Sequence, residues 1–168
     1  MTGHLLRPED WPAKYRAAAT LPMALAGLPR PWVFTNGVFD LLHRGHVQYL
    51  QAARAQGASL IVALNSDVSA RGLDKGPGRP VQAEQDRVWV VAALEAVSVV
   101  TLFDEPTPQA LLQRLRPDLY VKGGDYDMSR LAESALVASW GGRALAMPFV
   151  AGHSSSGIVA RLRGTGPC

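Results

Sequence analysis

The stretch from Trp32 to Leu50, W-V-F-T-N-G-V-F-D-L-L-H-R-G-H-V-Q-Y-L, constrains the fold more than any other part of the 168-residue chain. Trp32 to Thr35 form a short run of apolar, β-branched and aromatic residues, the pattern of a buried strand. Asn36-Gly37 breaks the run, and a glycine lets the backbone come close to whatever sits above the strand end. From Val47 the apolar residues recur about one helical turn apart, at Val47, Leu50 and Ala53, and Gly57 ends the helix. His43 and His46 therefore lie where a strand's carboxyl end passes into a helix N-terminus. In an open parallel α/β sheet, ligands bind at that point.

The chemistry of such a junction favours an anion. A helix N-terminus presents unpaired N–H groups and about half a positive charge. Two imidazoles three residues apart add donors, and positive charge when protonated. The same spacing is open to two other readings. The histidines could hold a metal, although no cysteine cluster or H-E-x-x-H accompanies them. They could also be plain capping residues in a chain without turnover.

Beyond this unit, strands and helices alternate. Ser59 to Leu64 is a continuous apolar strand of the parallel-sheet type, followed by Asn65-Ser66-Asp67, which suit the cap of a short helix. Gly72 to Pro80 reads as a mobile loop, and Gln85 to Ala96 as a helix. Val97 to Phe103 is the next strand. Thr107-Pro108 predicts an N-cap with proline in the first turn of a helix running to about Arg116. Leu119 to Val121 is a strand, Ser129 is expected to cap a helix reaching Trp140, and Ala144 to Met147 is a fifth strand. Gly152 to Ser156 opens a last helix, Ile158 to Arg163, with one of its serines as the cap. The pattern predicts an α/β fold, a doubly wound five-stranded parallel sheet with helices on both faces. Residues 1–30 read as an N-terminal helical extension and 31–168 as the domain. Gly, Pro, Lys and Ser cluster after strands one, two, four and five, the rim where such a fold builds its site.

G-V-F-D-L-L-H-R-G-H, with the strand before it and the helix after it, resembles the signature of the cytidylyltransferase-like nucleotidyltransferases, whose H-x-G-H motif binds a nucleoside triphosphate. The resemblance starts at about Pro31 and implies a Rossmann-like nucleotidyltransferase fold. It implies His43, His46 and Lys75 as catalytic groups on the triphosphate and transition state. Nucleotide contacts are implied at Asn36, Gly37, Phe39, Gly45, Lys122, Gly124, Asp125, Ser154, Ser155 and Ser156. Asp40, Asp67, Arg79 and Arg87 are implied on the substrate side. Several of these keep a second reading. Lys75 could be a solvated loop lysine, Asp125 could only fix its loop, and Arg87 could hold the loop rather than the substrate. Asp40 could bind Mg²⁺ or only order the histidine loop. Mg²⁺ is the expected cofactor and ATP the favoured co-substrate, with no protein-bound metal site expected.

K-G-P-G-R-P-V and P-D-L-Y-V-K-G-G-D-Y, together with the histidine stretch, look like the branch of that family that adenylylates D-glycero-D-manno-heptose 1-phosphate for lipopolysaccharide precursor synthesis. The implied reaction joins a sugar 1-phosphate to a nucleotidyl group and releases pyrophosphate. The length suits a stand-alone version with no kinase domain before residue 31, so a separate kinase is expected to supply the heptose 1-phosphate. Glycerol 3-phosphate and flavin mononucleotide are the alternative acceptors, and a non-catalytic nucleotide-binding regulator is the rival from another class. Glycerol-phosphate enzymes carry an arginine shortly before the last serine-rich segment, where this chain reads Pro148-Phe149-Val150-Ala151.

Composition narrows the partners. The net charge is +3 with no basic run, which argues against nucleic acid and suits small anionic ligands. Lysine occurs only at Lys14, Lys75 and Lys122, and the last two lie in glycine-flanked loops. Apolar content of 48% against 18% charged leaves apolar surface for a homo-oligomer, expected as a dimer. The single cysteine, Cys168, rules out an internal disulfide and fits a cytoplasmic location. Nothing approaches the length of a membrane span, so no membrane partner is expected.

Overall fold

The strand Ser59–Asn65 (β2) is buried at all seven positions, which only a strand covered on both faces can be. In the computed structural model, which describes residues 11–73, 76–124, 127–148 and 152–164, β2 lies inside a five-stranded sheet. Its neighbours are Trp32–Gly37 (β1) and Val99–Phe103 (β3), and Leu119–Gly123 (β4) and Arg143–Met147 (β5) complete the sheet. The order is β3-β2-β1-β4-β5 with every pair parallel. This is the doubly wound parallel sheet expected from the alternation. The chain runs outward from β1 to β3, then crosses to β4 on the other side of β1. The crevice above the carboxyl ends of β1 and β4 is thus the switch point of the topology.

Period-two alternation sorts the side chains into two cores. Val33, Leu60, Val62, Leu64, Leu119 and Val121 face one side. There they meet Leu50 and Ala53 of the helix Arg44–Arg54 (α2) and Val88, Val91 and Ala92 of the helix Glu84–Ala92 (α4). Phe34, Ile61, Ala63 and Tyr120 face the other side. They pack on Leu21 and Leu25 of the helix Leu21–Leu25 (α1), on Leu111, Leu112 and Leu115 of Gln109–Leu115 (α5), and on Val137 of Ala132–Ala138 (α6). Two short helices remain, Asp67–Gly72 (α3) and Ser155–Leu162 (α7). Before β1, Tyr15 bridges Val100, with Arg16 N–H donating to Val100 and Val100 N–H to Lys14.

Several boundaries differ from the sequence reading. Asn36 and Gly37 continue β1, because their Cα partners Ala63 and Leu64 on β2 extend the ladder that far. α4 stops at Ala92, four residues short of the expected end. Thr107 does not cap α5; Pro108 occupies that position and makes no side-chain cap bond. Ser129 does not start a long helix. The carboxylate of Asp127 accepts from the N–H and hydroxyl of Ser129, closing a single 3₁₀ turn over Met128–Arg130. Leu131 is then extended, and α6 begins at Ala132. The last helix begins at Ser155, capped by the Ser154 hydroxyl, which accepts from Gly157 N–H.

Candidate active site

A cleft of about 850 Å³ opens at the switch point. Its floor is the end of β1, its walls are the first turns of α2 and α7, and the end of β4 closes one side. Of the residues expected at the site, Asn36, Gly37, Phe39, Asp40, His43, Gly45, His46, Arg79, Lys122, Ser154, Ser155 and Ser156 all line it. Lys75 and Asp125 lie outside the described residues.

The histidine loop is built by steric constraint. Phe39 adopts φ 49, a left-handed backbone rare outside glycine, and this turns the chain back over the strand end. Its ring occupies the space that a Gly37 side chain would fill, since a Cβ there would lie 3.0 Å from the Phe39 ring. Phe39 also faces the His46 ring at 5.2 Å, and the His43 and His46 rings stack at 3.8 Å. His43 is the extended residue just before α2, and its carbonyl accepts from the N–H groups of His46 and Val47. Gly45 is required by crowding: a Cβ there would come 3.0 Å from the His153 Cβ and 3.1 Å from His43 Cε1 and Nδ1. Burial lowers the pKa of His43, and the charge of His153 lowers it further.

Asn36 and Lys122 meet across the strand ends. The Asn36 side-chain oxygen accepts from the Tyr120 hydroxyl at 2.9 Å and from Lys122 Nζ at 3.4 Å. These bonds hold the Lys122 charge over the end of β4. Gly124 follows at φ 129, and its N–H donates to Met147, tying β4 to β5. Opposite, the Ser155 hydroxyl donates to the Leu41 carbonyl at 3.0 Å, pinning α7 to the histidine loop.

Four residues expected on the substrate side have other partners. Arg87 is fully buried. Its guanidinium donates to the carbonyls of Val38 at 2.7 Å, Asn65 at 2.8 Å and Gln82 at 3.2 Å, and to Asp67 at 2.7 Å. Arg87 and Asp67 therefore brace the strand ends beneath the cleft instead of lining it. Asp40 accepts from the N–H groups of Val81 and Gln82, and its other oxygen pairs with Arg79 at 2.7 Å. The pair is almost wholly buried, at 2% and 11% side-chain exposure, so both groups anchor the segment after Gly78 at the cleft's edge. Asp40 is then a poor direct ligand for Mg²⁺, since both its oxygens are engaged. Among the described residues no group of three His, Cys, Asp or Glu is placed to hold a metal ion.

The sequence model of the cytidylyltransferase-like family matches residues 34–161, the span from the middle of β1 to α7. The chain belongs to the cytidylyltransferase-like family. It is 55% identical over 148 residues to the D-beta-D-heptose 1-phosphate adenylyltransferase of Bordetella bronchiseptica, covering 88% of this chain and 91% of that protein. It is 52% identical over 130 residues to the bifunctional protein HldE of Methylobacillus flagellatus, covering 77% of this chain but only 26% of that longer one. Among solved structures it superposes on the lipopolysaccharide core biosynthesis protein of Thermoplasma volcanium with a TM-score of 0.59 at 26% identity, over 71% of this chain and 95% of that one. Pantothenate synthetase of Thermus thermophilus shares the fold, with a TM-score of 0.55 at 17% identity over 86% of this chain and 64% of that one.

Within this cytidylyltransferase-like site, sequence reasoning missed His153, Tyr49, Thr107 and Glu133, which also line the cleft. His153 had a legible signal, its place inside the Gly152–Ser156 segment. Tyr49 follows His46 by one turn, and its hydroxyl bonds to Thr35 and to the Val121 carbonyl. Glu133 comes from α6, which no local pattern connects to the histidines.

Proposed function

We infer that this protein transfers the adenylyl group of ATP to a heptose 1-phosphate, giving ADP-heptose and pyrophosphate for lipopolysaccharide precursors. One observation carries the reading. The stacked His43–His46 pair stands at the first turn of α2, facing the N-terminus of α7 in one cleft. The chain that carries it is 55% identical to a heptose 1-phosphate adenylyltransferase. In the reaction a phosphate oxygen of the sugar bonds to the α-phosphorus while the bond from that phosphorus to the bridging oxygen breaks. The pyrophosphate leaves with the electron pair. The attacking oxygen is already anionic near neutral pH, so no strong general base is needed. Positioning and charge stabilisation supply the rate.

His43 and His46 donate to the triphosphate as charge builds on the leaving group, helped by the unpaired N–H groups of α2 and α7. Lys122 neutralises the nucleotide side, with Asn36 holding it in place. On the family resemblance alone, Gly124 and Asp125 are assigned to the ribose and Lys75 to the phosphates; Lys75 and Asp125 lie outside the described residues. Mg²⁺ bound with the nucleotide would neutralise phosphate charge, and Asp40, whose oxygens are engaged by Val81, Gln82 and Arg79, would not hold it directly. No helix of the described residues is long and apolar enough to cross a membrane, and the reading places the enzyme in the cytoplasm, where ATP is available. A second copy of the chain is the proposed partner, with Trp89 and Val90 of α4 among the exposed apolar residues.

The test is purified protein with Mg²⁺ and a matrix of acceptors and nucleotides, read by pyrophosphate release. Heptose 1-phosphate with ATP should be fastest. Faster release with glycerol 3-phosphate or flavin mononucleotide would overturn the acceptor, and faster release with CTP or GTP would overturn the nucleotide.

A further inference from the structure

The cleft holds a third imidazole. His153 sits just before α7 with its ring 6.2 Å from that of His43, tilted by 44°. Two features fix it there. Its Cβ abuts the bare face of Gly45, where an added methyl would lie only 3.0 Å away. Two residues further on, the Ser155 hydroxyl bonds to the Leu41 carbonyl and locks the start of α7 against the histidine loop. The His43 and His46 rings stack at 3.8 Å, which leaves no room for an anion between them. The wider gap between His43 and His153 is different. About 6 Å between tilted rings lets two N–H donors reach oxygens of one phosphate group at about 2.7–2.9 Å each.

We propose that His153 is a phosphate-binding residue of this site, clamping with His43 the pyrophosphate moiety that leaves in the reaction. The proposal rests on the nucleotidyl-transfer reading and adds a residue to it. Two imidazoles brought this close repel when both are charged, in line with the effect of His153 on His43. An anion seated between them relieves the repulsion and favours the protonated form of His43. The other charged groups facing His153 around the cleft, among the described residues, are His46 on α2, Lys122 at the end of β4, Glu133 on α6 and the Asp40–Arg79 pair. Asp40 and Arg79 neutralise one another, so Lys122 and Glu133 are the charges that modulate the clamp.

The experiment measures binding of inorganic pyrophosphate by calorimetry to the wild-type protein and to His153→Gln, at pH 6 and pH 8. Both proteins meet the same ionisation state of the ligand, so the ratio of their Kd values isolates the imidazole. The expected result is about tenfold weaker binding by the variant at pH 6, the loss of one charge-assisted hydrogen bond, shrinking to about twofold at pH 8. NMR of the histidine Cε1 protons gives an independent readout. Removing His153 should raise the titration midpoint of His43, because the repelling charge is gone. Equal Kd values at both pH values would overturn the proposal. So would a deficit of the same size at both, which marks mere packing, or an unmoved His43 midpoint. Turnover separates the two kinds of failure. Pyrophosphate binding that depends on His153 in a protein that forms no ADP-heptose would sink the reaction and leave the clamp. Full ADP-heptose synthesis with a His153→Gln variant that binds pyrophosphate like wild type would sink only the clamp.

Discussion

Replacing Arg87 with methionine should damage the fold far more than substrate affinity. The guanidinium is fully buried and makes four hydrogen bonds, three to main-chain carbonyls and one to Asp67. Methionine fills much of the volume but returns none of them. Three carbonyls stranded at about 1 kcal/mol each come to about 3 kcal/mol. Asp67 also loses its partner, although its side chain keeps 23% exposure and water recovers part of that loss. The sum is about 3–5 kcal/mol, the range for breaking a buried ion pair from one side. Total stability is about 5–15 kcal/mol, so the variant should fold but melt early. For a chain of this size the melting temperature should drop by about 6–20 °C in thermal unfolding followed by circular dichroism. Lysine in the same place reaches fewer acceptors and should recover only a minor part. Pyrophosphate release, measured well below the melting point, should show little change in the KM for the sugar phosphate. A shift below about 2 °C joined to a large rise in that KM would refute the bracing role and return Arg87 to the substrate.

The remaining predictions concern the histidine turn. Gly45→Ala pushes a methyl against His43 and His153 at 3.0–3.1 Å, so turnover should fall about 10–100-fold while the melting temperature moves by only a few degrees, because alanine's helix preference offsets part of the crowding. Activity within threefold of wild type would show that the rings yield freely. His46→Ala should lower the transfer rate by about 10²- to 10³-fold while ATP affinity drops less, and a variant keeping a third of wild-type turnover would exclude a transition-state role. In NMR titrations of the ligand-free protein His43 should titrate below the ordinary histidine value of about 6.5, and added pyrophosphate should move it upward. The native state then holds fewer protons at this site than the unfolded chain. Its contribution to stability is therefore complete above about pH 6.5 and is lost as the pH falls toward the lowered midpoint. A His43 midpoint at or above the ordinary value in the free protein would contradict the burial that causes the shift.

Much of the fold is legible in the sequence, because the signals are local. A strand with an unbroken run of five apolar residues, as Leu60 to Leu64 of β2, can only be covered on both faces, and strands alternating with helices require right-handed parallel crossovers. The histidine turn was legible for the same reason, since strand, glycine, histidines and helix are consecutive and each acts on the next. Ser154 as the cap of α7 belongs to that class too. What the tertiary structure decided are the contacts between segments far apart in the chain. Arg87 reads as an arginine that holds the substrate or the loop until the ends of β1 and β2 bring the carbonyls of Val38 and Asn65 over it. Asp40 reads as a metal or substrate carboxylate until the segment after Gly78 folds back and presents Arg79 and two amide N–H groups. His153 joins His43 only because Gly45 and the Ser155–Leu41 bond bring α7 against α2. The difference is physical. Local sequence sets backbone conformation and periodic burial, whereas a buried charge takes whichever partners the packed chain carries to it, and low-dielectric burial makes that pairing obligatory.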